Sequence, residues 1–296
     1  MGFLGYSDDN FILAPSRESL QVMLTICEDY AKSHGLKFST DPDPSKSKTR
    51  CLTFLQKERP IKPVLLCGNE LPWVSSCKHL GNTIVNTALA ESSDIRSKDI
   101  NIKRAAFINR NNELLQEFNF AHPKTKMQIT QIYNSHFYGS VLWDLSSKLV
   151  RKVETSWNVA VRRIFNLRRE THCYFVEPVS EMPHIANVLA RNCVNFVNMI
   201  RSSKKVAVRS LLKSIEQDTR SVTGQNLRRI LLNSNQCNVQ DLKLSDVNLQ
   251  YRPVPEAQQY RVGIVKELIE VQNNQLEVPG FTLDELDELL QYLCVS

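Results

Sequence analysis

At 296 residues the chain has room for roughly two domains of ordinary size. Its hydrophobic fraction of 42% and charged fraction of 23% are those of a globular protein, and no window approaches the ~18 consecutive apolar residues that would mark a membrane helix. The net charge of +6 is a mild excess that suits a polyanionic partner without requiring one.

The amino terminus, Met1-Gly2-Phe3-Leu4-Gly5-Tyr6, has no basic n-region and meets Asp8 and Asp9 almost at once, which is not the pattern of a secretory leader. An intracellular protein is expected. Residues 2–6 and 10–14 are short apolar and aromatic runs on either side of Ser7-Asp8-Asp9, the pattern of strand, tight turn, strand with two carboxylates at the tip. Ser16 then stands as the N-cap of a helix whose apolar stripe is Leu20, Met23, Leu24, Cys27 and Ala31, and Gly35 is placed to stop it. Strands are expected at Leu36-Lys37-Phe38 and Cys51–Phe54, separated by the turn-rich segment 39–45. A hairpin follows over Pro63–Val74 with Gly68-Asn69 at its turn, then a strand from His79 to Ile84.

From about residue 94 the apolar period becomes helical. Phe107, Leu114, Leu115 and Phe118 mark one helix; Val153, Trp157, Val161, Ile164 and Phe165 mark another; a further helix is expected over 184–200. The segment from Asn233 to Pro255 is polar enough for a linker. Between residues 96 and 170, fourteen basic residues face six acidic ones, a surplus larger than that of the whole chain. The last forty-odd residues turn acidic, with Asp284, Glu285, Asp287 and Glu288.

Eight cysteines are scattered without a Cys-x-x-Cys pair or a histidine at ligand spacing, so reduced and mostly buried thiols are expected rather than a zinc site. Trp143 and Trp157, with apolar neighbours at helical spacing, are expected in the core rather than stacked on bases. His172, without ligand partners nearby, is expected to pack or cap.

Adjacent carboxylates on a hairpin tip are one way to present hard oxygen ligands to divalent metals in phosphoryl transfer, although Ser-Asp-Asp-Asn is equally a good ordinary turn. The order of elements adds to this. Gly5-Tyr6-Ser7-Asp8-Asp9, the helix to His34, Gly35-Leu36-Lys37-Phe38, Lys48-Thr49-x-x-Leu52-x-Phe54 and His79-Leu80-Gly81 together resemble the palm end of a non-LTR (LINE-type) retrotransposon reverse transcriptase. Tyr138–Asp144 and Ser156–Ile164 are similar to the helical segments that follow the palm in jockey-like elements.

That resemblance implies an α+β fold: a partial palm over 1–90, a basic helical thumb over 91–205, and a helical or linker region of unassigned role over 206–296. It implies an RNA-directed DNA polymerase in which Asp8 and Asp9 are the catalytic carboxylates and ligands of Mg²⁺, and an RNA template and a DNA primer are the partners. Tyr6 would lie near the primer end, the Leu80-Gly81 hairpin would support it, and Lys48 would orient the nucleotide phosphates, with Lys46 close enough to compete. Ser7 departs from the alanine more usual in that position. Arg162, Arg163, Arg168 and Arg169 would track backbone phosphates. The resemblance also places a further catalytic aspartate and the fingers upstream of the Asp-Asp motif. A chain entering at that motif is expected to lack activity by itself and to expose a strand edge. A non-catalytic basic nucleic-acid-binding protein and a purely structural helical protein are the other readings.

Overall fold

A computed structural model describes residues 2–6, 9–43, 45–54, 61–86, 96–218, 220–234 and 259–273, together with Asp284, Glu288 and Leu289. The architecture is α+β, and the chain divides into two compact units, residues 1–98 and 99–296.

In the first unit, β1 (Gly2–Tyr6) and β2 (Asp9–Leu13) form an antiparallel hairpin in which Tyr6 pairs with Asp9. Helix α1 (Arg17–Ser33) begins where Ser16 accepts the Ser19 N–H and ends where Gly35, at φ +68°, turns the chain left-handed. Leu36 N–H then reaches back to the Ala31 carbonyl and Gly35 N–H to that of Lys32, closing the helix as a Schellman cap. The expected stripe faces inward: Leu24 and Ala31 are buried, with Leu20, Met23 and Cys27 partly so.

Two further hairpins follow, β3 (Val64–Leu66) with β4 (Asn69–Leu71) and β5 (Ser76–His79) with β6 (Asn82–Val85). Each closes through two residues of positive φ, Cys67 and Gly68 in one, Leu80 and Gly81 in the other, the geometry that matches strand twist in a two-residue turn. This corrects two expectations. The first turn falls one residue earlier than Gly68-Asn69, and the expected strand from His79 to Ile84 is broken at Leu80-Gly81. Nor are Leu36–Phe38 and Cys51–Phe54 strands. Phe38 packs on the core from a loop, and only Cys51 makes a bridge, its N–H to Pro72 O and its carbonyl to Val74 N–H at 2.9 Å each. Leu36 and Phe54 are 61% and 48% exposed, so apolar character at these positions marks neither the core nor a strand, and among the described residues they have no neighbouring strand to pair with.

Helix α1 replaces that neighbour along β3. Arg17 donates twice to Pro63 O, the Gln21 carboxamide both donates to and accepts from the Leu65 backbone at 2.9 Å, and Glu28 accepts the Cys67 N–H at 2.9 Å. Alternate backbone groups of the strand are thus satisfied by side chains spaced along one helix face.

The second unit is helical: α2 (Ser97–Glu117, which starts in the first unit), α3 (Pro123–Ile129, continuing into a π turn over Thr130–Asn134), α4 (Lys148–Ile164), α5 (Val176–Ser180), α6 (Ile185–Arg201), α7 (Val206–Gln217), α8 (Val222–Ser234) and α9 (Gln259–Asn273). Trp143 and Trp157 are buried as expected, packed with Phe107, Phe137 and Phe175 in a core that also takes Val265, Leu268 and Ile269 of α9. Each large apolar side chain so buried stabilises the fold by about 2–3 kcal/mol. The Trp143 indole N–H finds its acceptor in Asp99 Oδ2 at 3.0 Å, which also takes Lys103 at 2.8 Å. A second cluster joins the later part of α6 to α7 and α8. There Asn226 clips the Trp143–Leu145 backbone, donating to Trp143 O at 2.7 Å and accepting from Leu145 N–H at 3.1 Å. Helix α8 covers the start of the segment expected to be a linker; residues 235–255 lie outside the described residues.

Candidate nucleotidyl-transfer and nucleic-acid sites

The β1–β2 register pairs Tyr6 with Asp9, so Asp9 stands at the turn end of the hairpin. Asp9 is exposed at the start of β2; Asp8 and the side chain of Tyr6 lie outside the described residues. Two residues along β2, the Phe11 ring stacks on His79 with centroids 5.2 Å apart. Since His79 is the last residue of β5, this contact sets the Asp-Asp hairpin beside the Leu80-Gly81 turn. Leu80 is held at φ +44° and is 37% exposed, an unusual conformation for a branched side chain at a surface turn.

The lysine-bearing loop leads into Cys51, whose backbone bridges that of Trp73. Burial raises the Cys77 thiol above its ordinary range, opposed by the charge of the Arg50 guanidinium. Within that loop Ser47 is buried and bonds Thr49 O, Thr49 bonds Ser39 O at 3.0 Å, and Lys48 between them is exposed. Lys46 is the one engaged locally, 3.6 Å from Asp43. The Phe11–His79 stack thus joins β2 to the end of β5, while Lys48 is exposed on its own loop.

Whether these residues fit Mg²⁺ turns on the number of hard ligands. Among the described residues no group of three or more Asp, Glu, His or Cys is placed to hold a metal ion. Asp9 offers one carboxylate, so the described residues complete no metal shell by themselves, and no catalytic step is derived through one.

In the second unit the expected phosphate-tracking arginines separate. Arg162 is partly buried and committed: Nε and Nη2 donate to Thr171 O at 3.0 and 2.5 Å, and Nη2 lies 3.3 Å from Cys173 Sγ. It anchors the loop after α4, where Asn166 at φ +53° and the Leu167 N–H to Arg162 O bond end the helix. Arg163 is exposed and bonds the Asn112 side chain of α2; Arg168 and Arg169 are exposed in the loop.

The basic face of α4 extends beyond these arginines. The exposed residues of α4 are Lys148, Arg151, Lys152, Thr155, Val159 and Arg163, while its single acid, Glu154, is 6% exposed. Arg104 joins from α2, donating to Lys152 O at 3.2 Å and Ser156 Oγ at 2.8 Å. An acid-free basic row results, running about 22 Å at 1.5 Å per residue. The helical spacing of those cations is legible in the sequence; the burial of Glu154 is not.

His172 is exposed at the N-cap position of the Cys173–Phe175 turn, where its side chain makes no cap bond and its ring packs on Tyr174 with centroids 5.1 Å apart. The capping histidines are His122 and His184, whose Nδ1 atoms accept the N–H groups of Lys124 and Ala186. Of the described cysteines, Cys51 and Cys193 are buried and Cys27, Cys67, Cys77 and Cys173 partly so, all as free thiols. Among the described residues no helix is long and apolar enough to cross a membrane. Comparison of the chain with protein-family models, with curated proteins and with solved structures finds no match.

Proposed function

We propose that this chain is part of an RNA-directed DNA polymerase of the non-LTR retrotransposon kind, carrying the Asp-Asp side of a two-metal nucleotidyl-transfer centre and a basic helical thumb. The observation that carries the reading is the Phe11–His79 stack, which brings the Asp8-Asp9 hairpin next to the Leu80-Gly81 turn. A polymerase needs these neighbours: the carboxylates to hold Mg²⁺ on the phosphates, and a support that fixes the primer hydroxyl within reach. Lys48 is exposed, as a residue that meets nucleotide phosphates would be, and the positive φ of Leu80 suits a turn used for positioning.

In this reading Asp8 and Asp9 are metal ligands, and a further carboxylate on another strand completes the pair of ions, which stand about 3.5–4 Å apart in such centres. β1 pairs only β2 among the described residues, leaving an edge on which such a strand can add. Primer extension on poly(rA)/oligo(dT) with Mg²⁺ tests this. The chain joined to upstream palm segments is expected to extend the primer and to lose activity with Asp9→Asn, while the chain alone stays silent. Activity of the chain alone, or an extended form indifferent to Asp9→Asn, would overturn it.

The acid-free face of α4 favours a second reading, a nucleic-acid-binding protein that does no chemistry. Neutralising Lys148, Arg151 and Lys152 together should weaken duplex binding evenly across sequences and flatten its salt dependence by about 0.9 for each phosphate that is no longer neutralised. Binding that survives Asp9→Asn while the extended form stays inactive would favour this alternative.

A further inference from the structure

The solvent side of α7 differs from the basic face of α4 in composition. Lys204 and Lys205 at its entrance and Arg209 and Lys213 along it are exposed, and among them stand Val206 at 67% exposure, Leu211 at 58% and the exposed Ala207. The one acid of the helix, Glu216, is paired with Arg201 at 2.9 Å, while Leu212 and the partly buried Val208 hold the opposite side in the α6–α8 cluster. The exposed face of α4, by contrast, carries one apolar residue, Val159. A plain row of cations suits a nucleic-acid backbone, which gains nothing from apolar contact. Cations interleaved with uncovered valine and leucine suit a partner that is acidic and apolar together.

The chain contains such a segment. Over residues 281–293, Leu283, Leu286, Leu290 and Leu293 recur at i, i+3, i+7 and i+10, the stripe of an amphipathic helix, with Asp284, Glu285, Asp287 and Glu288 around it and no basic residue. Asp284, Glu288 and Leu289 are exposed. An isolated helix of this length is marginal in water, so the segment gains order by laying its leucines on an apolar surface. The stretch from Asn274 to Thr282 reaches roughly 30 Å when extended, against a radius of gyration of about 16 Å for a unit of this size, so a helix of its own unit is within range.

We propose that residues 281–293 dock on the exposed side of α7 of the same chain, the leucines on Val206, Ala207 and Leu211 and the carboxylates toward Arg209 and Lys213. The pairing uses none of the residues assigned to nucleotidyl transfer and does not depend on that reading.

Hydrogen exchange of the full chain, read by mass spectrometry of its peptides, tests this. Amides of 281–293 should be protected, and equally so in dilute and concentrated protein. Arg209→Glu with Lys213→Glu should speed their exchange about fivefold or more, since attractive exposed pairs become repulsive. Glu285→Lys with Asp287→Lys should do the same, and the four changes combined should restore protection. Unchanged slow exchange in α6 shows that the fold is intact; if the α7 variant disturbs it, the Glu285 and Asp287 variant, which leaves α7 untouched, gives the same reading. No protection in the wild type, protection that grows with protein concentration because a second copy is the occupant, indifference to either charge reversal in a folded variant, or no restoration in the combined variant would overturn the proposal.

Discussion

Burial controls the reactivity of individual thiols. Cys193, within the α6–α8 cluster, is pushed up to about 12, and Cys51, in the first unit's core, to about 11, in both cases because an apolar surround disfavours the thiolate. Iodoacetamide at pH 8 is therefore expected to spare both in the native protein while modifying the more accessible Cys173, as read by mass spectrometry of peptides; native-state labelling of Cys193 would mean that its cluster opens. Gly224 is constrained by space rather than by φ. A Cβ there would lie 2.6 Å from the Ile215 carbonyl oxygen and 3.3 Å from that of Asp218, so α7 and α8 touch through backbone that cannot give way as a side chain can. Gly224→Ala should cost about 1–3 kcal/mol of stability in urea unfolding, and a neutral result would show that the two helices shift apart freely.

The attachment of α1 to the β3–β4 hairpin makes a secondary-structure element sensitive to acid. Glu28 lies below its ordinary carboxylate range, first because Lys32 bonds it at 2.6 Å and then because the Cys67 N–H donates to it. A depressed folded value means that its contribution is fully present above the unfolded carboxylate pKa and is lost as pH falls through the lower folded value. The Cys67 amide should thus gain exchange rate and shift its NMR resonance on acidification, and Glu28→Gln should abolish that pH response; an acid-independent Cys67 amide would show that the contact carries no linkage. The same element illustrates what is legible locally. Ser16, the apolar stripe and Gly35 specify α1 from start to stop by short-range chemistry. The strands expected at 36–38 and 51–54 do not form, because a strand needs a backbone partner, and among the described residues of these segments only Cys51 finds one, in its bridge to Trp73.

Across the whole molecule the two units differ in how much apolar surface they bury. The first unit gathers Leu24, Cys51, Val64, Leu66 and Leu71 as its core, whereas the second has an aromatic-rich core and a further cluster. Sheets of two strands are marginal without packing behind them. Amide hydrogen exchange is expected to protect α4 and α6 well beyond β1–β2 and β5–β6; equal protection would require stabilisation of the first unit that its core does not explain.

Much of the candidate site is local in origin. The hairpin carrying Asp8 and Asp9, the core positions of Trp143 and Trp157, the helical second half and the basic surplus all follow from periodicity, turn chemistry and charge counting, which act over a few residues. Tertiary structure decided the rest. It set Phe11 against His79, committed Arg162 to the Thr171 carbonyl, and buried Glu154 so that the exposed face of α4 is free of acids. Each of these depends on which residues meet across the folded chain, and short-range propensity carries no information about such meetings.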